Sequence, residues 1–553
     1  MKRTSFFSAF IFLFAGVFAC EGGTNPTEST GSGGSGNAGG SGGAGGSSAI
    51  CGDGAMEGGE TCDDENTAAG DGCAADCVVE EGYSCAGTPS VCTDDDECAT
   101  NTDNCDANAT CANTPGSFTC TCNAGFDGDG VTCSVPLMLR TAIDVGCVLF
   151  PNGTVKCWGG NYDGRLGQGD TANRGDGPNE MGSNLPAVDL GTGKTAKQIS
   201  LGDDHVCALL NDGSVKCWGA NDEGQLGIGD KLNRGDEPNE MGDNLPAVNL
   251  GTGKTATFLA AGYGHTCAIL NDGTIKCWGY NHSGQLGRGD TMHRGAAASD
   301  MGDNLPPVDL GLSAGKTVVS LSAGDGYSCA LLNDGNVKCW GYNLLGQLGL
   351  GDMNNRGDAP GEMGAALPAI NLGTGKIAKA IAVGIHSTCA LLNDDHVKCW
   401  GAGGDGQLGQ GDANDRGDGP GEMGDALPAI DLGAGKTIKS FAMGRDHSCA
   451  ILNDDSLKCW GYAVRGQLGL GDINNRGDVP GEMGDTLPVV DIGTRKVVKT
   501  VVGGGNNTCV VLTDDSIKCW GDNSDGQLGQ GDMNHRGDEP GEMGDALPAV
   551  AVQ

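Results

Sequence analysis

Four acidic residues, Asp94, Asp95, Asp96 and Glu97, run directly into Cys98, and Asn113 follows two residues after Cys111. Hard cations want oxygen. Calcium gathers roughly six to eight oxygens from carboxylates, amides and backbone carbonyls. Asp94 and Glu97 stand about one turn apart, so both can face one ion, and Asn113 brings an amide oxygen from a second segment. Calcium is therefore the expected cofactor. Elsewhere the sequence offers no nucleophile–base–acid set, phosphate loop or paired-carboxylate cleft, so the expectation is a protein that is not an enzyme. Histidines recur at His205, His265 and His447, with His386 one place off, but Tyr327 and Asn507 interrupt the series. A structural role at strand starts suits them better than a metal ring.

A second acidic pattern recurs further along: Gly-Asp-x-x-x-Arg-Gly-Asp-x-Pro-x-Glu-Met-Gly-Asp. It carries Arg-Gly-Asp at Arg174, Arg234, Arg356, Arg416, Arg476 and Arg536, with Arg294-Gly-Ala296 in the third copy. Three readings compete: an adhesive tripeptide, further calcium sites on carboxylates such as Asp230, Asp236, Glu240 and Asp243, or an arginine bracing a long loop against neighbouring acids. The third is favoured, because Ala296 and Ala365 show that single acids are dispensable.

Cysteine and charge bound the setting. Of 27 cysteines, Cys20 stands alone, while the groups 51–92, 98–133 and the repeats hold even numbers. That parity implies full disulfide pairing in an oxidising compartment. The net charge of −39 repels phosphate backbones, so no nucleic acid partner is expected.

Lys2 and Arg3 precede an apolar run, Phe6 to Ala19, which has the form of an export signal over residues 1–19. It ends Val17-Phe18-Ala19-Cys20, which resembles the bacterial lipobox and implies lipid attachment at Cys20. The expected location is the cell surface or outer membrane, lipid-anchored and facing outward, with membrane contact through the anchor only. Residues 20–49 are rich in Gly and Ser and read as a flexible tether.

Two small modules follow. Residues 50–92 place six cysteines among few large apolar side chains, so disulfides must stand in for a core, and the connectivity stays open. The pattern resembles a cysteine-rich repeat of myxobacterial surface proteins. Residues 93–134 run through Cys98, Cys105, Cys111, Cys120, Cys122 and Cys133 with Gly116-Ser117-Phe118 between, and resemble a calcium-binding epidermal growth factor-like domain. The resemblance implies backbone carbonyl ligands from Asp95, Thr114 and Ser117. It also implies pairing of Cys98 with Cys111, Cys105 with Cys120 and Cys122 with Cys133, and a calcium ion that stiffens the junction between modules.

From residue 137 to 553 the sequence repeats itself. All seven tryptophans sit in Cys-Trp-Gly, at Trp158, Trp218, Trp278, Trp340, Trp400, Trp460 and Trp520, spaced by 60 residues apart from one step of 62. Within a repeat, Thr266–Leu270 and Thr274–Trp278 are short β-rich runs around Asn271-Asp-Gly273. A three-residue turn with glycine in the left-handed position sets Leu270 opposite Thr274 and Cys267 opposite Cys277, within disulfide reach. The same spacing pairs Cys147 with Cys157, Cys207 with Cys217, Cys329 with Cys339, Cys389 with Cys399, Cys449 with Cys459 and Cys509 with Cys519. Asp395, Asp455 and Asp515 replace the glycine in the last three repeats; aspartate tolerates that conformation better than most residues.

After each tryptophan comes Gly-Gln-Leu-Gly, or Gly164-Arg-Leu-Gly in the first repeat. Trp-Gly-x-Asn-x-x-Gly-Gln-Leu-Gly resembles the signature of the regulator of chromosome condensation family. The resemblance implies an all-β, seven-bladed β-propeller with about four strands per blade, preceded here by the two disulfide-rich modules. The signature asparagine gives way to Gly403 and Ala463, so altered loops are expected in blades five and six. The expected function is recognition of an extracellular protein or surface ligand by a monomer. The alternatives are inhibition of a secreted enzyme and, by family label, guanyl-nucleotide exchange.

Overall fold

The computed structural model describes residues 50–56, 58–107, 109–123, 127–131, 133–134 and 137–552. The expected signal at 1–19, the lipid site Cys20 and the tether at 20–49 lie outside the described residues. The chain divides into two compact units, 1–136 and 137–553.

In the first unit, disulfides do the work of a core. Cys51 bonds Cys77, Cys62 bonds Cys73 and Cys85 bonds Cys92, which selects one of the connectivities that spacing left open. The buried Asp63 carboxylate accepts backbone N–H bonds from Gly52, Gly54 and Glu65 and so gathers the cystine loops around one anion. The next module joins Cys98 to Cys111, Cys105 to Cys120 and Cys122 to Cys133. Its centre is the hairpin Ala109–Thr114 with Ser117–Cys122. The two modules meet without a linker. Strand Val91–Asp94 begins in one and ends in the other, and Asp95 N donates to Gly82 O at 2.8 Å.

The second unit is seven three-stranded antiparallel sheets. In one of them, Ala256–Ala261 pairs with His265–Leu270, which pairs with Ile275–Gly279. The fourth strand implied by the family resemblance is reduced in every repeat to a single bridge, such as Gly279 with Arg294. The long loop carries glycines and a proline there, which cannot sustain a ladder. Cys267 lies opposite Cys277, and all seven ten-residue pairs are bonded with Cα–Cα distances of 4.1 Å. Gly273 takes φ +80°, and Asp395, Asp455 and Asp515 occupy the same left-handed region.

The sheets pack on one another through the tryptophans. Trp218 is fully buried against the preceding blade and its indole N–H donates to Arg165 O at 2.9 Å. Trp278 binds Gln225 O in the same way, and Trp158 binds Gln527 O, so the first sheet docks on the last. Gly182 N donates to Ala551 O and Lys156 Nζ to Val552 O across the same seam. The first sheet thus packs face to face on the last, and the seven sheets close into a ring. Blades five and six keep the common loop path, contrary to the sequence reading. The bridges Gly401–Arg416 and Gly461–Arg476 persist, and Asp415 and Asn475 still accept from Gly403 N and Ala463 N.

Candidate functional site

The calcium candidates lie at the junction of the two small modules. Asp94 ends its strand with a carboxylate that accepts from Gly116 N and from Asn113 Nδ2. Asn113 faces Phe118 and Thr114 faces Ser117 in the hairpin, and Thr114 Oγ1 donates to Ser117 O at 2.9 Å. Asp95 accepts from Ser84 Oγ at 2.7 Å. Glu97 opens the single helical turn Glu97–Thr100, and its Oε2 is enclosed with no hydrogen-bond partner. An enclosed, unsatisfied carboxylate oxygen is costly in a protein. Its place beside the acidic entrance fits a site for a hard cation. Turning the Asn113 amide end for end would present its oxygen beside Asp94.

The repeated acidic loops hold their carboxylates differently. Arg234 pairs with Asp230 at 2.6 Å and donates to the carbonyls of Leu232 and Asn233. Glu240 accepts from Gly235 N and Glu237 N, and Asp243 takes both the N–H and hydroxyl of Thr192 in the preceding repeat. Asp236 abuts Glu240, and burial together with that neighbouring charge pushes its carboxyl up. The arginine of Arg-Gly-Asp is spent within its own loop in all six copies, and Arg294 does the same. This arrangement is the internal brace.

His205, His265 and His447 are fully buried and reach the next blade, at Thr266, Ser328 and Thr508 respectively. Burial holds them at about 3, 4 and 4, so they stay neutral. His386 is not in this series; Ser387 occupies the equivalent place.

A site that sequence reading missed lies at one end of the ring. The turns joining the first and second strands, 142–144, 202–204, 262–264, 324–326, 384–386, 444–446 and 504–506, converge there. Backbone bonds pass from one turn to the next, as in Arg445 N to Gly504 O and Gly505 N to Ala142 O, both 2.9 Å. This collar encloses a pit of about 130 Å³ lined by Asp203, Tyr263, Asp325 and Arg445 among the turn glycines. Those glycines are required. A Cβ at Gly202 would meet His205 Cε1 at 2.4 Å.

The charges at this mouth are unevenly compensated. Arg165, nearly buried, bonds Asp204 at 2.8 Å, and Arg445 bonds Asp446 at 3.3 Å. Among the described residues, no donor reaches the carboxylate of Asp203 or Asp325. Burial, then the charges of Asp204 and Asp325, push Asp203 up to about 7. Burial and Asp525 push Asp144 up to about 6. Aromatic rings occupy the next sector: Tyr280 stacks on His293 at 5.0 Å and meets Tyr263 edge-on at 6.5 Å. The signal for this site stood in the sequence. The seven equivalent positions read Ile143, Asp203, Tyr263, Asp325, Ile385, Arg445 and Gly505, five residue types within otherwise near-identical repeats.

Comparison with known proteins places these features. The family model for the RCC1-like domain matches residues 144–494, that for a single regulator of chromosome condensation repeat matches 498–527, and an EGF domain model matches 98–133. The ultraviolet-B receptor UVR8 of Arabidopsis thaliana is 28% identical over 394 residues, covering 70% of this chain and 78% of the receptor. The E3 ubiquitin-protein ligase HERC2 of Mus musculus is 26% identical over 69% of this chain, which spans only 7% of that ligase. The crystal structure of Prp20p from Saccharomyces cerevisiae superimposes with a TM-score of 0.51 at 21% identity, covering 70% of this chain and 84% of that one. The domain model alone covers more than half of the sequence, and the protein belongs to the RCC1-like domain family.

Proposed function

We propose that this protein is an exported surface lipoprotein that recognises a protein partner through the mouth of its propeller, on a stalk stiffened by calcium. The observation that carries the reading is the collar. A rigid ring, closed on itself and bonded by a disulfide in every blade, carries five different residue types over its seven blades at one position around a pit. Packing does not ask for that variety, and recognition does. The solved relatives support the class of partner: Prp20p was studied for its binding to Gsp1p and histones, and the yeast protein was crystallised with Kap60. Thirteen disulfides suit an oxidising exterior. The role is binding and not catalysis.

Calcium belongs to this reading through Asp94, Glu97 and Asn113, with backbone oxygens from Asp95, Thr114 and Ser117. An ion there ties the strand that leaves one module to the hairpin of the next. Extracellular sites of this kind bind at roughly 0.1 to 1 mM. Labelling intact cells with a membrane-impermeant biotin reagent tests the location. A chain that is labelled only after lysis would overturn it. Replacing Cys20 by Ser should release the protein from the membrane fraction.

A further inference from the structure

We propose that the pit at the channel mouth receives a lysine or arginine side chain of the partner, held between the carboxylates of Asp203 and Asp325 against the ring of Tyr263. The inference rests on the reading of the propeller as a protein-recognition platform and names the chemistry of its partner.

The charge pattern comes first. Both arginines near the pit already have anions of their own, Asp204 for Arg165 and Asp446 for Arg445. Asp203 and Asp325 line the same space, and among the described residues neither carboxylate takes an ion pair or hydrogen bond, though the Arg445 charge nearby favours both anions. Asp203 is partly buried in the wall, where an ionised carboxylate without a donor carries a cost. A cationic side chain entering the pit removes that cost and supplies the missing hydrogen bonds. Tyr263 stands on the blade between those of Asp203 and Asp325 and lines the same pit. The residue is 45% exposed, and an aromatic face beside carboxylates is a standard seat for ammonium or guanidinium.

The same details argue against a metal ion. Calcium asks for many oxygens. Here the wall offers two carboxylates, an aromatic ring and the Arg445 guanidinium. The pit of about 130 Å³ has room for the end of one long side chain. The chain's net charge of −39 draws a basic segment toward the mouth, while the collar selects where its tip is seated.

The test uses the purified full-length chain in detergent, titrated calorimetrically with a hexalysine peptide and with hexaglutamate as control. Hexalysine should bind and hexaglutamate should not. The double variant Asp203→Asn, Asp325→Asn should weaken hexalysine at least tenfold. Tyr263→Ala should weaken it severalfold, and Asp212→Asn at the opposite end of the blades should leave it unchanged. Melting temperatures for all variants confirm that folding is intact. Equal affinity of the double variant and the parent overturns the proposal, since attraction would then be diffuse. Saturation by methylammonium at the concentrations that saturate hexalysine overturns the protein partner in favour of a small amine. Failure of surface labelling with hexalysine binding intact would sink the cellular reading above and leave the pit's chemistry standing.

Discussion

The two ends of the propeller blades are made from the same repeats, yet they handle charge in opposite ways. At the hairpin-turn end, blades two to seven each close their own account: Lys194 meets Asp212, Lys254 meets Asp272, and the pairing recurs through Lys496 and Asp514. At the channel mouth, the equivalent positions diverge from blade to blade, and Asp203 and Asp325 are left without donors. The hairpin end is a copied solution to a local problem, in which a turn aspartate is braced by a nearby lysine. The mouth has no such common problem. Once glycine makes room for the residue of the next strand, the following position is free to vary, and that freedom is where specificity accumulates.

This contrast can be broken at several points. The largest effect should come from the copied elements inside the ring. Trp340→Ala empties a fully buried site and leaves Gln285 O with only the Ser328 hydroxyl as donor, and should cost about 3–5 kcal/mol in denaturant unfolding. Lys216→Ala takes the donor from the Leu190 carbonyl and leaves Gly242 O with the Leu245 N–H alone, and should cost about 1–3 kcal/mol. If either change is silent, the repeat's uniformity reflects ancestry alone.

Asp94→Ala and Glu97→Ala should each weaken calcium at least tenfold, read as the loss of calcium-dependent protection of the residue 80–95 junction from protease. Unchanged affinity would remove these residues from the ligand set.

The mouth should respond to pH in a direction the hairpin end does not share. Asp203 has an ordinary value of 3.8 and is held at about 7 in the fold, so folding favours its neutral form. That contribution is complete below about pH 4 and is lost as pH rises through 7. Thermal melting should therefore rise by a few degrees from pH 8 to pH 5, and Asp203→Asn should flatten the change. At the hairpin end, hydrogen bonds from Lys194 and Ser214 hold Asp212 well below the usual carboxylate range, so its contribution disappears only under strong acid. The smallest effect belongs there: Lys194→Ala should cost under about 1 kcal/mol, because its ion pair is partly exposed to solvent.

How much of this was legible in the sequence follows the same division. The turn Asn271-Asp-Gly273 fixes which residues oppose each other, and Cys267 does stand opposite Cys277. The seven tryptophans marked seven sheets because one aromatic side chain per repeat must be buried between neighbours. The cystine pairing of residues 51–92 was not legible, since there the bridges themselves set the fold and spacing leaves many choices. Nor was the loss of the fourth strand to a single bridge. The lysine before each Cys-Trp carries no sequence mark of its role, because the carbonyls that hold Lys216 come from two separate loops. The mouth was missed for a different reason. The signal lay in disagreement among the repeats, while the eye follows what they share.

The seam between the first and last blades also governs the order in which the chain can be completed. Trp158 waits for Gln527, Lys156 for Val552, and Gly182 for Ala551. During synthesis, the first blade emerges before the other six, and its outer flank is the last to find a neighbour. Its flank stays bare until nearly all 553 residues have arrived, so a stalled or clipped chain presents an adhesive edge that degradation machinery can detect.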